Sequence, residues 1–212
     1  MKRIRLLIAD DHPIVREGLK KIIAADQEME VVAEAGTGEE VLALLKGKKF
    51  DCIILDISMP GENGLVITRE IKSHHPQLPV LIVSMYPEEQ FAIRAFRAGA
   101  SGYLTKTSAP TELLAAIRKV SKGGRYVSSS LAERLTYYVS GQGTALPHES
   151  LSDREYQIML MIASGKTTAE IAEELSLSVK TISAYRTNIL EKLHLKNAVE
   201  LTRYAIEHGL IG

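Results

Sequence analysis

Residues able to handle a phosphoryl group stand at the ends of short apolar runs in this 212-residue chain. Asp10 and Asp11 follow Ile4–Ala9, and Asp56 follows Cys52–Leu55. Ser84 follows Val80–Val83, and Lys106 comes just after Gly102–Leu104. Three carboxylates at neighbouring strand ends repel one another unless a cation lies among them. Mg2+ suits that place, because it takes oxygen ligands, keeps several waters and is held by one or two carboxylates plus a phosphate. A hydroxyl and an ammonium beside it add donors and positive charge for phosphoryl oxygens. A carboxylate can itself be the nucleophile and become an aspartyl phosphate. Asp56 is the better nucleophile candidate, since it stands alone, while Asp10 and Asp11 are adjacent and placed to share the metal. Taken singly each feature is weak: Asp-Asp before Pro13 is also a common turn and helix cap. It is the combination at four strand ends that points to chemistry.

The elements that must position these groups are legible as a pattern. A fifth apolar run, Val31–Ala35, joins the four above, and turn signals bound them all: Asp11 to Pro13, Gly36 to Gly38, Pro60 to Gly64, and Pro76 with Pro79. Between them lie helical stripes, beginning with Ile14, Leu19, Ile22 and Ile23 and ending with Leu113, Leu114 and Ile117. Five β-then-α units predict a parallel sheet with helices on both faces, which binds ligands at the carboxyl ends of its strands. From Lys122 the texture changes. Ser128-Ser129-Ser130 is expected to cap a short helix carrying Leu131, Leu135 and Val139, and Ser140 to Thr144 with Pro147 read as linker. After Ser150 the pattern is only helical. Ser152 with Glu155 is a capping box, Thr168 starts a short helix, Ser178 a longer one through about Leu193, and Asn197 a last one through His208. A short helix, a tight turn and a longer helix are the helix-turn-helix outline, within a small all-α bundle of four helices. The expected organisation is 1–122, a linker over 123–149, and 150–212.

Lys plus Arg and Asp plus Glu are both 26, so net charge is zero and a histone-like or polybasic protein is excluded. A DNA reader is not, because a local patch suffices. Residues 148–212 carry seven cations and nine anions, yet residues 178–196 carry four cations against Glu191, a local balance of +3. On a wheel of the helix from Ser178, Val179, Ile182, Ile189 and Leu193 fall on one side, and Lys180, Ser183, Ala184, Thr187 and Glu191 on the other. The outward side is small and polar, suited to a major groove. Tyr185, Arg186, Lys192 and Lys196 flank it and are placed to meet phosphates. So few cations imply weak binding by one copy, which dimerisation would double. The lone cysteine, Cys52, is read as core and excludes an internal disulfide. His12, His74 and His75 are given structural roles. No apolar run approaches the roughly 20 residues that span a bilayer, so a cytoplasmic protein without membrane partners is expected.

Residues 1–122 resemble the receiver domain of two-component response regulators. The resemblance is carried by Ile8-Ala9-Asp10-Asp11-His12-Pro13, Leu55-Asp56-Ile57-Ser58-Met59-Pro60-Gly61 with Gly64, Val83-Ser84-Met85, and Gly99-Ala100-Ser101-Gly102-Tyr103-Leu104-Thr105-Lys106. It implies a flavodoxin-like α/β fold and transfer of a phosphoryl group to Asp56 from a phosphohistidine of a sensor histidine kinase. It also implies Mg2+ on Asp11, Asp56 and the Ser58 carbonyl, with Asp10 acting through water. Ser84 and Tyr103 match the family's switch pair, and Lys106 its phosphate-binding lysine. Where many receivers have Pro after that lysine, Thr107 stands here. Residues 150–212 resemble the LuxR-type helix-turn-helix, on Leu151-Ser152-Asp153-Arg154-Glu155, Ala163 to Ala172, Leu177 to Ile182 and Asn188 to Leu193. The DNA-facing set is then Lys180, Thr181, Ser183, Ala184, Tyr185, Arg186, Thr187 and Lys192. The joined domains resemble the NarL/FixJ class, in which the last helix pairs two copies. Leu201, Ala205 and His208 share a face and are the expected dimer contacts. The expectation is a homodimeric transcription factor that binds double-stranded promoter DNA and works with RNA polymerase. The rival from another class, a Mg2+-dependent phosphatase passing through an aspartyl phosphate, fits the carboxylates, but the chain carries no substrate cap.

Overall fold

The computed structural model describes residues 3–128, 131–132 and 146–211, in two compact units, Met1–Glu133 and Arg134–Gly212. The first unit alternates β1 (Ile4–Ala9), α1 (Pro13–Ala24), β2 (Met29–Ala35), α2 (Gly38–Gly47), β3 (Cys52–Leu55), α3 (Gly64–His74), β4 (Val80–Ser84), α4 (Glu88–Arg97), β5 (Gly102–Thr105) and α5 (Pro110–Ser121). All strand pairs are parallel, in the order β2-β1-β3-β4-β5. Strand β1 thus has β2 on one side and β3 on the other. The winding reverses there and leaves a crevice at the carboxyl ends of β1 and β3, which is where Asp10, Asp11 and Asp56 stand.

Alternation puts Leu6, Ile8, Cys52, Ile54, Leu81 and Val83 into one core with Leu19 and Ile23 of α1 and Leu113, Ile117 and Val120 of α5. The intervening Leu7, Ile53, Leu55 and Ile82 are equally buried. A sheet covered on both faces is why these strands read as unbroken apolar runs. Strand β2 begins earlier than its apolar run because it is an edge strand, where the partly exposed Glu30 costs little. Ile14, expected in the buried stripe of α1, is 86% exposed, standing next to Pro13 in the first turn.

The second unit holds a 3-10 turn (Pro147–Ser150), α6 (Asp153–Ala163), α7 (Thr168–Glu174), α8 (Val179–Lys192) and α9 (Ala198–Glu207). Ser152 and Glu155 close the expected capping box, and Thr167 with Glu170 closes a second one at the start of α7. Such a cap is worth about 1 kcal/mol. The α7–α8 turn passes through Ser176 at φ 52°, and the Leu177 N–H donates to the Ala172 carbonyl at 2.8 Å. Helix α8 packs on α6 and α7, and α9 on α6. Val179, assigned to the buried side of α8, is 49% exposed, because the first residue of the helix lies beyond the packed turn.

Part of the stretch expected as linker belongs to the first unit. Tyr126 pairs with Gly102 of β5, and Ser128 accepts the N–H groups of Leu131 and Ala132, the first described residues of the expected linker helix. Leu135, Val139 and the Ser140 to Thr144 segment lie outside the described residues. Among the described residues no helix is long and apolar enough to cross a membrane.

Candidate functional site

Asp10 and Asp56 are almost fully buried, at 2% and 3% exposure. The Lys106 Nζ reaches both, 2.6 Å from Asp10 Oδ2 and 2.7 Å from Asp56 Oδ2. The remaining oxygens are held by the backbone. Asp56 Oδ1 accepts the Ile57 N–H at 2.7 Å, and Asp10 Oδ1 the His12 N–H at 2.9 Å. Burial pushes the Asp56 carboxyl up from its usual value, with the Lys106 charge opposing. Burial also works against the Lys106 ammonium, but the charges and hydrogen bonds of Asp56 and Asp10 outweigh it and hold that group above the ordinary lysine range. Asp11 Oδ1 is buried without a directed hydrogen bond, although His12 Nδ1 approaches to 2.8 Å. One ligand atom from each of Asp10, Asp11, His12 and Asp56 lies within 4.8 Å of the others. Three carboxylates against one ammonium, with an oxygen lacking a donor, fit a hard divalent cation.

Two residues that hold this pocket have different visibility in the sequence. Arg16 of α1 donates from Nη1 to the Asp10 carbonyl at 2.6 Å and from Nε to Glu34 of β2 at 3.2 Å, bracing the β1–α1 turn. Nothing in its spacing marks it, since it reads as one more charge on an amphipathic helix. Gly64 stands out in the sequence only as part of a motif. Its reason is steric: a Cβ there would meet the Asp56 carbonyl oxygen at 2.0 Å. Gly64→Ala is therefore expected to push α3 off the end of β3, lowering the melting temperature and cutting phosphoryl uptake at least tenfold. Thermal melts with intact-mass labelling check it.

Ser84 is fully buried, and its Oγ accepts the Tyr86 N–H at 3.3 Å. Tyr103 is 1% exposed and donates its hydroxyl to the Tyr86 carbonyl at 2.9 Å. Burial raises the phenol well above its usual value, so it remains a donor. The two residues of the expected switch thus grip one residue, Tyr86, from both sides. Ser58 lies two residues beyond Asp56, and its hydroxyl is 3.4 Å from that of Tyr86. His74 and His75 end α3, where they complement the helix dipole. Cys52 is wholly buried, its thiol pushed up to about 12 by burial, and is inert core.

In the second unit Lys180, Ser183, Ala184 and Thr187 are exposed along α8, and Ile182 and Ile189 are buried opposite them. Thr181, Tyr185 and Arg186 are half-buried between. The Thr187 hydroxyl bonds back to the Ser183 carbonyl at 3.2 Å, and that of Thr181 lies 2.7 Å from the capping Ser178 Oγ. Lys192 departs from the expectation of a phosphate-facing cation. Its Nζ is 2.7 Å from Glu155 Oε2, so it completes the Ser152 capping box and ties α8 to α6.

The expected dimer face needs a larger correction. Leu201 and Ala205 are fully buried in their own domain. His208 stacks on Tyr204 at 4.1 Å, and its Nδ1 lies 2.8 Å from the Tyr204 carbonyl. The apolar stripe of α9 is consumed by packing on α6, which any terminal helix of a small bundle must do first. The opposite stripe is open: Val199 is 79% and Ile206 59% exposed, with Arg203 between them.

Comparison with known proteins finds a match for each part of the chain. Residues 6–118 match the response regulator receiver domain, and residues 149–205 the LuxR family of bacterial regulatory proteins. The chain is similar to the response regulator UvrY of Escherichia coli K12, 39% identical over 208 residues, 98% of this chain and 95% of that protein. It is similar to RcsB from Salmonella enterica serovar Typhimurium bound to a promoter in the presence of the phosphomimetic BeF3−, with TM-score 0.60, 28% identity, and coverage of 96% of this chain and 98% of that one. The figures are the same for a structure of two RcsB dimers on two parallel DNAs.

Proposed function

We propose, from the premise that this chain belongs to the two-component response regulators that join a receiver to a LuxR-type DNA-binding domain, that a phosphoryl group on Asp56 switches it as a dimeric transcription factor. The observation that carries this reading is the meeting of Asp10, Asp11, Asp56 and Lys106 at the crevice between β1 and β3. The donor is a phosphohistidine of a sensor histidine kinase. The Asp56 carboxylate attacks phosphorus, the P–N bond breaks, and the imidazole leaves and takes up a proton. Asp11, Asp56 and the Ser58 carbonyl, with Asp10 through water, would hold Mg2+, which would supply positive charge between the carboxylate and phosphoryl oxygens. Lys106 exchanges its carboxylate partners for a phosphoryl oxygen, and the Ser84 hydroxyl turns to another, releasing Tyr86. The receiver spans 1–122, the start of the 123–149 linker folds back onto it, and the DNA reader is 150–212. Two readers pair through the open stripe of α9, Val199, Arg203 and Ile206. The site of action is the cytoplasm, where promoter DNA and RNA polymerase are.

A titration of promoter fragments recovered by genome-wide footprinting tests the reading. Beryllofluoride with Mg2+ is expected to tighten binding at least tenfold on half-sites about 10 base pairs apart, centre to centre. Equal affinity with and without it would exclude the switch.

On α8 the roles divide by chemistry. Thr187→Ala is expected to relax one position of the site by roughly 1–3 kcal/mol and leave the salt slope unchanged. Arg186→Ala should weaken all sequences alike and reduce the slope by about one per subunit. Affinities on specific and scrambled DNA at several salt concentrations separate the two, with circular dichroism to verify folding. Equal losses on both DNAs for the folded Thr187→Ala chain would remove the base-reading role.

A further inference from the structure

Ser128 stands at a junction that neither the phosphoryl chemistry nor the DNA-facing helix uses. After α5 the chain turns at Gly123-Gly124 and comes back beside β5, where the Tyr126 N–H donates to the Ser101 carbonyl at 2.9 Å. Gly102 permits the approach, since a Cβ there would lie 3.0 Å from that of Tyr126. The Tyr126 hydroxyl is anchored on Glu112 of α5 at 2.9 Å. Two residues on, Ser128 Oγ donates to Glu88 Oε2 at 2.6 Å and accepts the Leu131 N–H at 3.1 Å. One hydroxyl, with one proton and two lone pairs, both caps the turn at Leu131–Ala132 and ties it to the first residue of α4.

Glu88 is two residues beyond Tyr86, whose N–H and carbonyl are held by Ser84 and Tyr103. A chain of direct bonds and short backbone therefore runs from Ser84 and Tyr103, the expected switch pair, to the turn at Leu131. The other Glu88 oxygen, Oε1, is buried and accepts no hydrogen bond, so a displacement of α4 that carries the carboxylate into water would satisfy both of its oxygens.

We propose that the Ser128–Glu88 bond is a latch, closed in the unphosphorylated chain, through which occupancy of Asp56 loosens the linker. This rests on the reading of Asp56 as the acceptor. When the Ser84 hydroxyl turns to the phosphoryl group, the Tyr86 N–H is given up, the Met85 to Pro87 loop shifts, and Glu88 leaves Ser128. The turn at Leu131 keeps its cap but loses this bond to α4.

Amide hydrogen exchange on the full chain, followed by NMR with and without beryllofluoride and Mg2+, tests the latch. In the wild type beryllofluoride is expected to speed exchange of the Leu131 and Ala132 amides about tenfold, while Tyr126 stays protected. Glu88→Ala, which leaves the cap intact, and Ser128→Asp, which caps equally well but repels Glu88, should exchange at the faster rate without beryllofluoride. They should show no further change with it. If the Asp56 and Lys106 resonances respond to beryllofluoride but Leu131 exchange in the wild type does not, the latch is refuted. It is also refuted if both variants remain as protected as the wild type. If those resonances do not respond at all, the acceptor reading falls and takes the latch with it.

Discussion

Asp56→Asn yields a chain that folds and takes up no phosphoryl group from acetyl phosphate and Mg2+, a loss of at least a hundredfold by intact mass. The amide keeps the shape of the carboxylate and can still accept the Ile57 N–H, and Lys106 keeps Asp10 as a partner at 2.6 Å. It has no nucleophilic oxygen anion. Stability should not suffer. Burial raises the folded-state pKa of Asp56 above its unfolded value. Its favourable contribution therefore belongs to the protonated form, is complete below the unfolded pKa, and is lost as pH rises through the folded one. At neutral pH the variant is relieved of burying that charge but costs Lys106 one of its two carboxylate partners, so it is expected to melt close to the wild type. Asp11→Asn should also abolish labelling, through loss of a carboxylate charge from the expected metal site. Label that survives on Asp56→Asn would place the acceptor elsewhere.

Charging the open stripe of α9 separates pairing from folding. Val199→Asp with Ile206→Asp touches side chains that are mostly exposed, so the domain should keep its stability to within about 0.5 kcal/mol. Binding to a two-half-site promoter should fall at least thirtyfold, because the second half-site then binds independently, while binding to a single half-site stays as it was. Leu201→Ala should do the opposite. It opens a cavity in the domain core and costs roughly 2–5 kcal/mol of stability. Chemical denaturation and half-site titrations read the two effects apart. A double variant that still binds the full site like wild type would move the dimer contact off α9.

The receiver was readable because its sheet is covered on both faces. Each strand is a short apolar run, and each chemical group sits one or two residues past its end, as with Asp56 after Leu55. The capping box at Ser152 was readable for a similar reason, since it is a local contact between residues three apart. What escaped depends on contacts distant in sequence. Arg16 reaches the Asp10 carbonyl, Lys192 is claimed by Glu155, and Gly64 is fixed by the Asp56 carbonyl oxygen. The misjudged face of α9 has a plainer cause. Periodicity finds the apolar stripe at Leu201 and Ala205 but does not say whether the domain itself or a second copy covers it. Tyr126 and Ser128 were hidden by composition, because a Gly- and Ser-rich segment reads as linker even where it pairs with β5.

The central claim, that occupancy of Asp56 sets DNA affinity, is met most directly by measuring both quantities on the same samples. Wild type and Asp56→Asn are incubated with increasing acetyl phosphate, the occupied fraction is read by intact mass, and each sample is titrated onto promoter DNA. The account predicts affinity that climbs with the occupied fraction in the wild type and stays flat in the variant. Affinity that is the same for unlabelled and fully labelled wild type, or that rises equally in Asp56→Asn, would contradict it.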